Sequence, residues 1–360
     1  MIRVFCLGLA LAVGFMPSAY AGNLQVGTTY SPRQSEYLGL DWRDTFEALL
    51  TVDFDILRLG AYWSQIEPRP GVFDFRALDW QLDMARQRGI PVVLTVGMKA
   101  PRWPEYFIPE WVLAPLSVKR GENIASHPEI RERTLKMIRA VMERYAEEPI
   151  IAYWQVENEP FDRSGPDYWW SDPEFVAEEV RTVREHDPLK RPIVMTVATY
   201  PNGWLRFGAR VFQPTDPLPE TLRLCNIIAF NIYPVVSQQL GALKLYFWTE
   251  RQARQHYYQG LKRFAEKNGR AAWIMELQAE PWEPGHLVYA GNAPLPTAHP
   301  EITEEAFQEF QDLGFDTIFL WGAEYWHFRR MRFKDTRWWN AMRSLLQRRH
   351  SATDKLQDRG

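Results

Sequence analysis

Two glutamates stand where carboxyl chemistry could be done. The first closes the run Tyr153-Trp154-Gln155-Val156-Glu157-Asn158-Glu159-Pro160. Pro160 cannot continue a strand ladder, so Glu159 falls at the C-terminal end of an apolar strand. The second, Glu276, lies near the end of Trp273-Ile274-Met275-Glu276-Leu277-Gln278. Taken singly, each also reads as a rim carboxylate paired with an arginine, since structural ion pairs occupy such positions too. Other chemistries lack their residues. There is no Gly-x-Ser-x-Gly elbow and no HExxH or HxH, and the seven histidines (His127, His186, His256, His286, His299, His327, His350) are scattered. Of two cysteines, Cys6 sits in an N-terminal apolar run, which leaves Cys225 without a partner and excludes a disulfide framework or a cysteine zinc site. No metal or other cofactor is implied.

These glutamates need a scaffold, and the chain is long enough to build one. Its 360 residues are 46% hydrophobic and 24% charged, which excludes a disordered or collagen-like chain. Lys and Arg number 42 against 45 Asp and Glu, a net charge of −3, so no overall basic surplus points to nucleic acid or an anionic membrane. Apolar, β-branched runs recur at 24–30, 55–60, 91–97, 150–157, 192–199, 225–233, 272–277 and 316–321. Their continuity suits strands buried on both faces. Between them lie stretches with helical spacing: Leu78–Gln87, Ile130–Ala146, Phe175–His186, Gln252–Lys267, Glu304–Leu313 and a closing Thr336–Gln347. Several end in a glycine, such as Gly89, Gly269 and Gly314, placed to cap a helix before the next strand.

Eight strand–helix units of this length predict an α/β fold, a single (β/α)8 TIM barrel. An open doubly wound sheet competes, but neither GxGxxG nor GxxxxGK[ST] follows the first strand. Long loops are expected after strands 3, 4, 5 and 7, over Met98–His127, Phe161–Pro173, Pro201–Glu220 and Gln278–Pro300, all on the face where such barrels place their sites. They carry Trp103, Trp111, Tyr168, Trp169, Trp170, Trp204 and Trp282.

The N-terminus reads as an address. Arg3 precedes an apolar stretch from Val4 to Phe15, and Ala19-Tyr20-Ala21 has the form of a cleavage site. The expected organisation is a signal peptide over 1–21, the barrel over 22–350 and a polar C-terminal tail over 351–360. Cleavage would remove Arg3 and change the charge from −3 to −3 − 1 = −4. The expected location is the periplasm or the exterior, with no transmembrane segment left in the mature chain.

The segment Trp154–Pro160 resembles the strand-4 Asn-Glu-Pro motif of the clan A glycoside hydrolases, which are retaining (β/α)8 enzymes. Arg58-Leu59-Gly60, Trp63-Ser64-Gln65-Ile66-Glu67-Pro68 and Gly71-Val72-Phe73-Asp74-Phe75 are similar to their strand-2 region, above all in family 42. Met275–Trp282 resembles the strand-7 nucleophile segment of families 42 and 5. The resemblance spans roughly 24–345 and implies a retaining glycosidase acting on a β-linked oligo- or polysaccharide. A glycosidic oxygen is a poor leaving group, so a proton donor is needed on one side of the bond and a nucleophile on the other. By resemblance Glu159 is the acid/base and Glu276 the nucleophile. Asn158 would bond the sugar 2-hydroxyl, and Arg58 would contact Glu276 and favour its charged form. Tyr233 would bond the nucleophile, and Trp321 would floor the sugar site. Trp282 and Trp103 are further candidates for stacking on sugar C–H faces.

By strand parity Glu157 is expected inward and one layer deeper than Glu159, as a buried partner of Arg58 or another cation. Glu280 and Glu283 read as loop carboxylates that could touch substrate. Family 5 usually has His two residues before the strand-6 Tyr, where this chain has Asn231. The sugar is therefore not carried over from either family. The aromatic loops favour an open cleft for a glycan chain. A barrel that binds glycans without cleaving them, and a transglycosylase using the same residues, are the competing readings. Oligomeric state is left open.

Overall fold

The computed structural model describes residues 24–240, 243–283 and 295–357. The expected signal peptide lies outside the described residues, as does the middle of the loop after strand 7. Eight parallel strands close into a barrel: β1 (Gln25–Thr29), β2 (Ile56–Gly60), β3 (Val92–Val96), β4 (Ile151–Val156), β5 (Ile193–Ala198), β6 (Ile227–Ile232), β7 (Ala271–Gln278) and β8 (Thr317–Trp321). Closure comes from β1 against β8, where Val26 faces Ile318 and Thr28 faces Leu320. Each strand matches one of the expected runs to within a few residues. The wall-facing residues of the strands, such as Leu57, Leu94, Trp154, Met195, Ile228 and Ile274, pack into one core with the surrounding helices.

The lumen is built in layers. Its lower part is an apolar plug of Ile56, Val93, Val194, Ile227, Ala229, Trp273, Met275 and Phe319, with Tyr153 beside it. Gly27 is required here, because a Cβ would lie 2.7 Å from the Phe319 ring and 2.7 Å from the Ile56 carbonyl oxygen. Two residues further along the strands, period-2 alternation aims the next side chains at the same axis. These are Thr29, Arg58, Thr95, Gln155, Thr196 and Asn231, all buried. A polar collar thus stands on an apolar floor, and the site is built on that collar.

Helices lie at Arg76–Arg88, Pro128–Tyr145, Pro173–His186, Arg251–Lys267 and Pro300–Asp312, with Gly89 at φ 66° ending the first of them. The closing helix runs Arg337–Gln357, past the expected Gln347 and into the segment read as a polar tail. Two differences concern the C-terminal face of the barrel. The stretch expected as a loop after β5 contains helix Gly203–Phe212 and the start of helix Pro217–Leu224. An antiparallel hairpin, Val235–Leu240 with Leu243–Trp248, follows β6. Neither the helix over Gly203–Phe212 nor this hairpin buries a continuous apolar stripe, so burial patterning gave no sign of them. Among the described residues no helix is long and apolar enough to cross a membrane.

Candidate active site

The strand ends depart from regular geometry where the two glutamates sit. β4 stops at Val156, and Glu157 and Glu159 adopt φ of 58° and 46°, a left-handed conformation uncommon for residues with a side chain. Hydrogen bonds hold this turn in place. The Glu157 N–H donates to the Val96 carbonyl (2.8 Å), Asn158 N–H to the Lys99 carbonyl (2.8 Å) and Glu159 N–H to Thr196 Oγ1 (2.9 Å). Lys99 Nζ in turn donates to the Glu159 carbonyl oxygen (2.7 Å).

On β7 the register against β6 passes from Ile274 facing Phe230 directly to Glu276 facing Asn231. The register against β8 shifts in the same stretch. This bulge gives β7 one extra residue, so Met275 and Glu276 escape strict alternation. Ile274 faces the helices and Met275 the lumen plug. Glu276, which period-2 counting would put with Ile274, enters the lumen beside Asn231.

Arg58, fully buried, ties the two strand ends together. Its Nη1 donates to Glu276 Oε1 at 2.8 Å, its Nη2 to Asn158 Oδ1 at 2.6 Å and its Nε to Gln155 Oε1 at 2.8 Å. Tyr233 Oη donates to the second Glu276 oxygen at 2.8 Å. Glu276 thus has a cation on one oxygen and a hydroxyl on the other, a setting that complements negative charge. Glu159 is placed differently. Its Oε1 accepts from the uncharged amide of Asn231 at 2.6 Å. Burial pushes its pKa up to about 8, the Lys99 ammonium opposes this, and the nearby Glu276 and Asp162 add to the rise. The two carboxyl groups therefore divide: one is held by a cation, the other is biased to keep its proton at neutral pH. Burial and the Glu276 charge also raise the Tyr233 phenol well above its ordinary value, so it stays a donor.

A cavity of about 220 Å³ brings together Glu159, Glu276, Asn158, Tyr233, Trp321, Trp282 and Trp103. Trp321 is buried, with the Arg102 guanidinium 3.9 Å from its ring centroid. Trp282 and Trp103 are half-exposed at the rim, and the Trp282 ring sits 5.9 Å from that of Tyr233. All eight residues singled out in the sequence are brought to this one place, Arg58 lying beneath it in the collar.

Other expectations fare differently. Glu157 does not pair with Arg58. The positive φ at Glu157 breaks the parity on which that reading rested, and its oxygens accept from the backbone N–H groups of Met98 and Lys99, both at 2.6 Å. Behind it stands Glu179, and burial raises the pKa of both carboxyl groups. Glu280 lines the cavity but is ion-paired with Arg102, which also bonds Glu324. Glu283 accepts from Thr297 Oγ1 (2.7 Å) and Tyr246 Oη (3.0 Å), outside the cavity lining. Trp204 is on the outside of its helix and does not line the cavity. Sequence reasoning missed Arg102, Lys99 and Glu105, whose carboxylate lies 3.3 Å from Lys99 Nζ. A signal was present, since all three follow β3 in the loop Lys99-Ala100-Pro101-Arg102-Trp103-Pro104-Glu105, at the end of the barrel where sites lie. Among the described residues no group of three or more His, Cys, Asp or Glu is placed to hold a metal ion.

The fold is a closed (β/α)8 barrel, and part of the chain is similar to known glycoside hydrolases. The family 42 β-galactosidase model matches residues 29–175. β-Galactosidase BgaB of Geobacillus sp. (strain Y412MC61) is 28% identical over 147 residues, which is 37% of this chain and 21% of BgaB. This chain thus aligns with about a fifth of the length of such relatives. Among solved structures, the β-galactosidase of Rahnella sp. R3 superposes with a TM-score of 0.63 at 15% identity, over 93% of this chain and 57% of that one. GH5_18 of Bifidobacterium longum subsp. longum ATCC 55813 superposes with a TM-score of 0.57 at 14% identity, over 83% and 70%. The structural likenesses establish the barrel. The aligned sequence contains Arg58, Asn158 and Glu159, whereas Glu276 lies beyond it and is joined to them by the Arg58 hydrogen bond.

Proposed function

We propose that the protein is a retaining glycoside hydrolase acting on β-linked oligo- or polysaccharide. The observation that carries this reading is the unequal environment of two carboxyl groups in one cavity. Glu276 has Arg58 and Tyr233 as donors, and Glu159, with Asn231, has its pKa pushed up to about 8. In the reaction Glu159 donates its proton to the leaving oxygen while Glu276 attacks the anomeric carbon, forming a glycosyl-enzyme. Attack consumes the charge on Glu276. That removes a repulsion that adds to the burial-raised Glu159 pKa, so Glu159 can more readily take a proton from water in the second step. Asn158, fixed by Arg58 and by Thr196 Oγ1 (2.9 Å), would present its amide N–H to the 2-hydroxyl. Trp321 would floor the sugar, and Trp282 and Trp103 would extend stacking along a chain, supporting an open cleft. Relatives bearing the name β-galactosidase make β-galactosides the first substrates to try. The apolar run and the Ala19-Tyr20-Ala21 site support export through a cleaved signal peptide, which the N-terminal mass of the secreted protein would test.

The deciding experiment is product release from β-galactosides, β-glucans, mannans and xylans, with Glu276→Gln as control and the anomer of the first product read by NMR. Released sugar of retained configuration, absent in the variant, is expected. Inverted product would overturn the double displacement. Binding without cleavage by either protein would turn the reading to a glycan-binding barrel, and glycosides longer than the substrate would reveal transfer to sugar in place of water.

A further inference from the structure

Lys99 is fully buried and meets all three residues of the turn that carries the proposed acid. Its N–H donates to Glu157 Oε2 at 2.6 Å, and its carbonyl accepts from the Asn158 N–H at 2.8 Å. Its Nζ donates to the Glu159 carbonyl oxygen at 2.7 Å. The first two bonds are made by backbone and would survive a change of side chain. The third belongs to the lysine. The same carbonyl oxygen accepts from the Asp162 N–H at 3.2 Å, so the end of the turn has two donors. Glu157 and Glu159 have φ of 58° and 46°, and such backbone persists only where surrounding contacts over-determine it.

A buried ammonium also acts through its charge. Lys99 Nζ is 3.3 Å from Glu105 Oε2 and 5.9 Å from the centroid of the Tyr106 ring. The Glu105 side chain is 19% exposed and can be solvated without a lysine. Pairing with Glu105 therefore does not account for an ammonium buried against the Glu159 carbonyl. The groups around the Glu159 carboxyl are Lys99 and Glu105 after β3, Asp162 after β4, Tyr200 after β5, Asn231 and Tyr233 at the end of β6, and Glu276 on β7. Burial, Glu276, Asp162 and Glu105 all favour its protonated form, and the Lys99 charge opposes them. Lys99 likewise favours the charged forms of Asp162 and Glu157.

We propose that Lys99 is a positioning residue for Glu159. Its side chain fixes the turn that aims the carboxyl group, and its charge sets how readily that group gives up its proton. The role rests on the reading of Glu159 as the acid/base.

The test is the titration of Glu159 in Lys99→Met, followed by carboxyl carbon NMR, together with kcat and KM. Removing the cation should move the titration up by about 1 unit or more. The kcat should fall by about 10- to 100-fold with KM little changed, because the acid is misplaced while the sugar contacts remain. A turn that had merely loosened would admit water to the carboxyl group and move its titration down. That result, or an unchanged titration, would overturn the proposal. Lys99→Arg keeps the charge and should shift the titration less than Lys99→Met does; an equal rise would show that the charge is not responsible. Melting curves show which variants fold. If Lys99→Met does not, Lys99→Met with Glu105→Gln removes both members of the ion pair. A smaller rise is expected there, because Lys99 outweighs Glu105 at Glu159, and a fall would overturn the proposal. The titration needs no substrate, so its failure is distinct from failure of the glycosidase reading, which product release decides.

Discussion

Replacing Glu276 by Gln removes one charge and almost no volume, and so isolates the electrostatic link between the two carboxyl groups. Burial is the largest cause of the raised Glu159 pKa, and the Glu276 charge adds to it against the opposing Lys99 ammonium. At the separation of about 5–5.5 Å that a retaining pair requires, two like charges repel by about 3 kcal/mol at an effective dielectric constant of about 20. That equals about 2 pKa units. Glu159 should therefore titrate near pH 8 in the native enzyme and about 2 units lower in Glu276→Gln. Carboxyl carbon NMR of both proteins reads this directly. Stability against pH gives a second readout. Glu159 releases its proton near pH 8 when folded but near its ordinary 4.5 when unfolded, so between these values the folded state holds the extra proton. Its contribution to stability therefore falls as pH rises through that window, and in the variant the fall should end about 2 units earlier. A Glu159 that titrates at the same pH in both proteins would refute the coupling, and one that titrates near 4.5 in the native enzyme would refute its role as acid.

Four further outcomes follow from the same geometry. The kcat/KM profile should decline on the alkaline side with an apparent pKa of about 8, where Glu159 loses its proton; a decline near pH 5 would contradict the assignment. Arg58→Met leaves Glu276 buried without its cation and should lower stability in urea titration by about 3–5 kcal/mol while abolishing turnover. Tyr233→Phe keeps the ring against Trp282 but removes a donor to Glu276, so kcat/KM should fall by about 10- to 100-fold with the melting temperature little changed. Gly322 has φ 135°, and a Cβ there would lie 2.8 Å from the Ala279 carbonyl oxygen, so Gly322→Ala should cost about 2–4 kcal/mol in thermal denaturation.

Much of the scaffold was legible because barrel strands are buried on both sides. Val92–Val96 is apolar except for Thr95 and lies between the lumen and the helices, so composition alone marks it. The glycine after helix Arg76–Arg88 marks its end for an equally local reason, the left-handed cap. The hairpin after β6 and helix Gly203–Phe212 carry no such mark. The helix buries none of its residues and the second strand of the hairpin is largely exposed, so the patterning that finds a core passes over them.

The candidate site divides along the same line. Position at a strand end selected Glu159 and Glu276, and the resemblance to the clan A glycoside hydrolases added Arg58, Asn158, Tyr233 and Trp321, which also stand at or near strand ends that a parallel barrel gathers on one face. Their orientations and partners were not in the sequence. Period-2 counting places Glu276 with Ile274, outside the lumen, and only the bulge at Met275 turns it in. The same counting sends Glu157 toward Arg58, and only the backbone turn at Glu157 and Glu159 sends it to the amides of Met98 and Lys99 instead. The contrast between the two carboxyl groups is likewise tertiary. Arg58 reaches Glu276 across 218 positions of chain, and Asn231 reaches Glu159 across 72. A pKa depends on burial and on charges a few ångströms away, and those distances exist only once the barrel has closed.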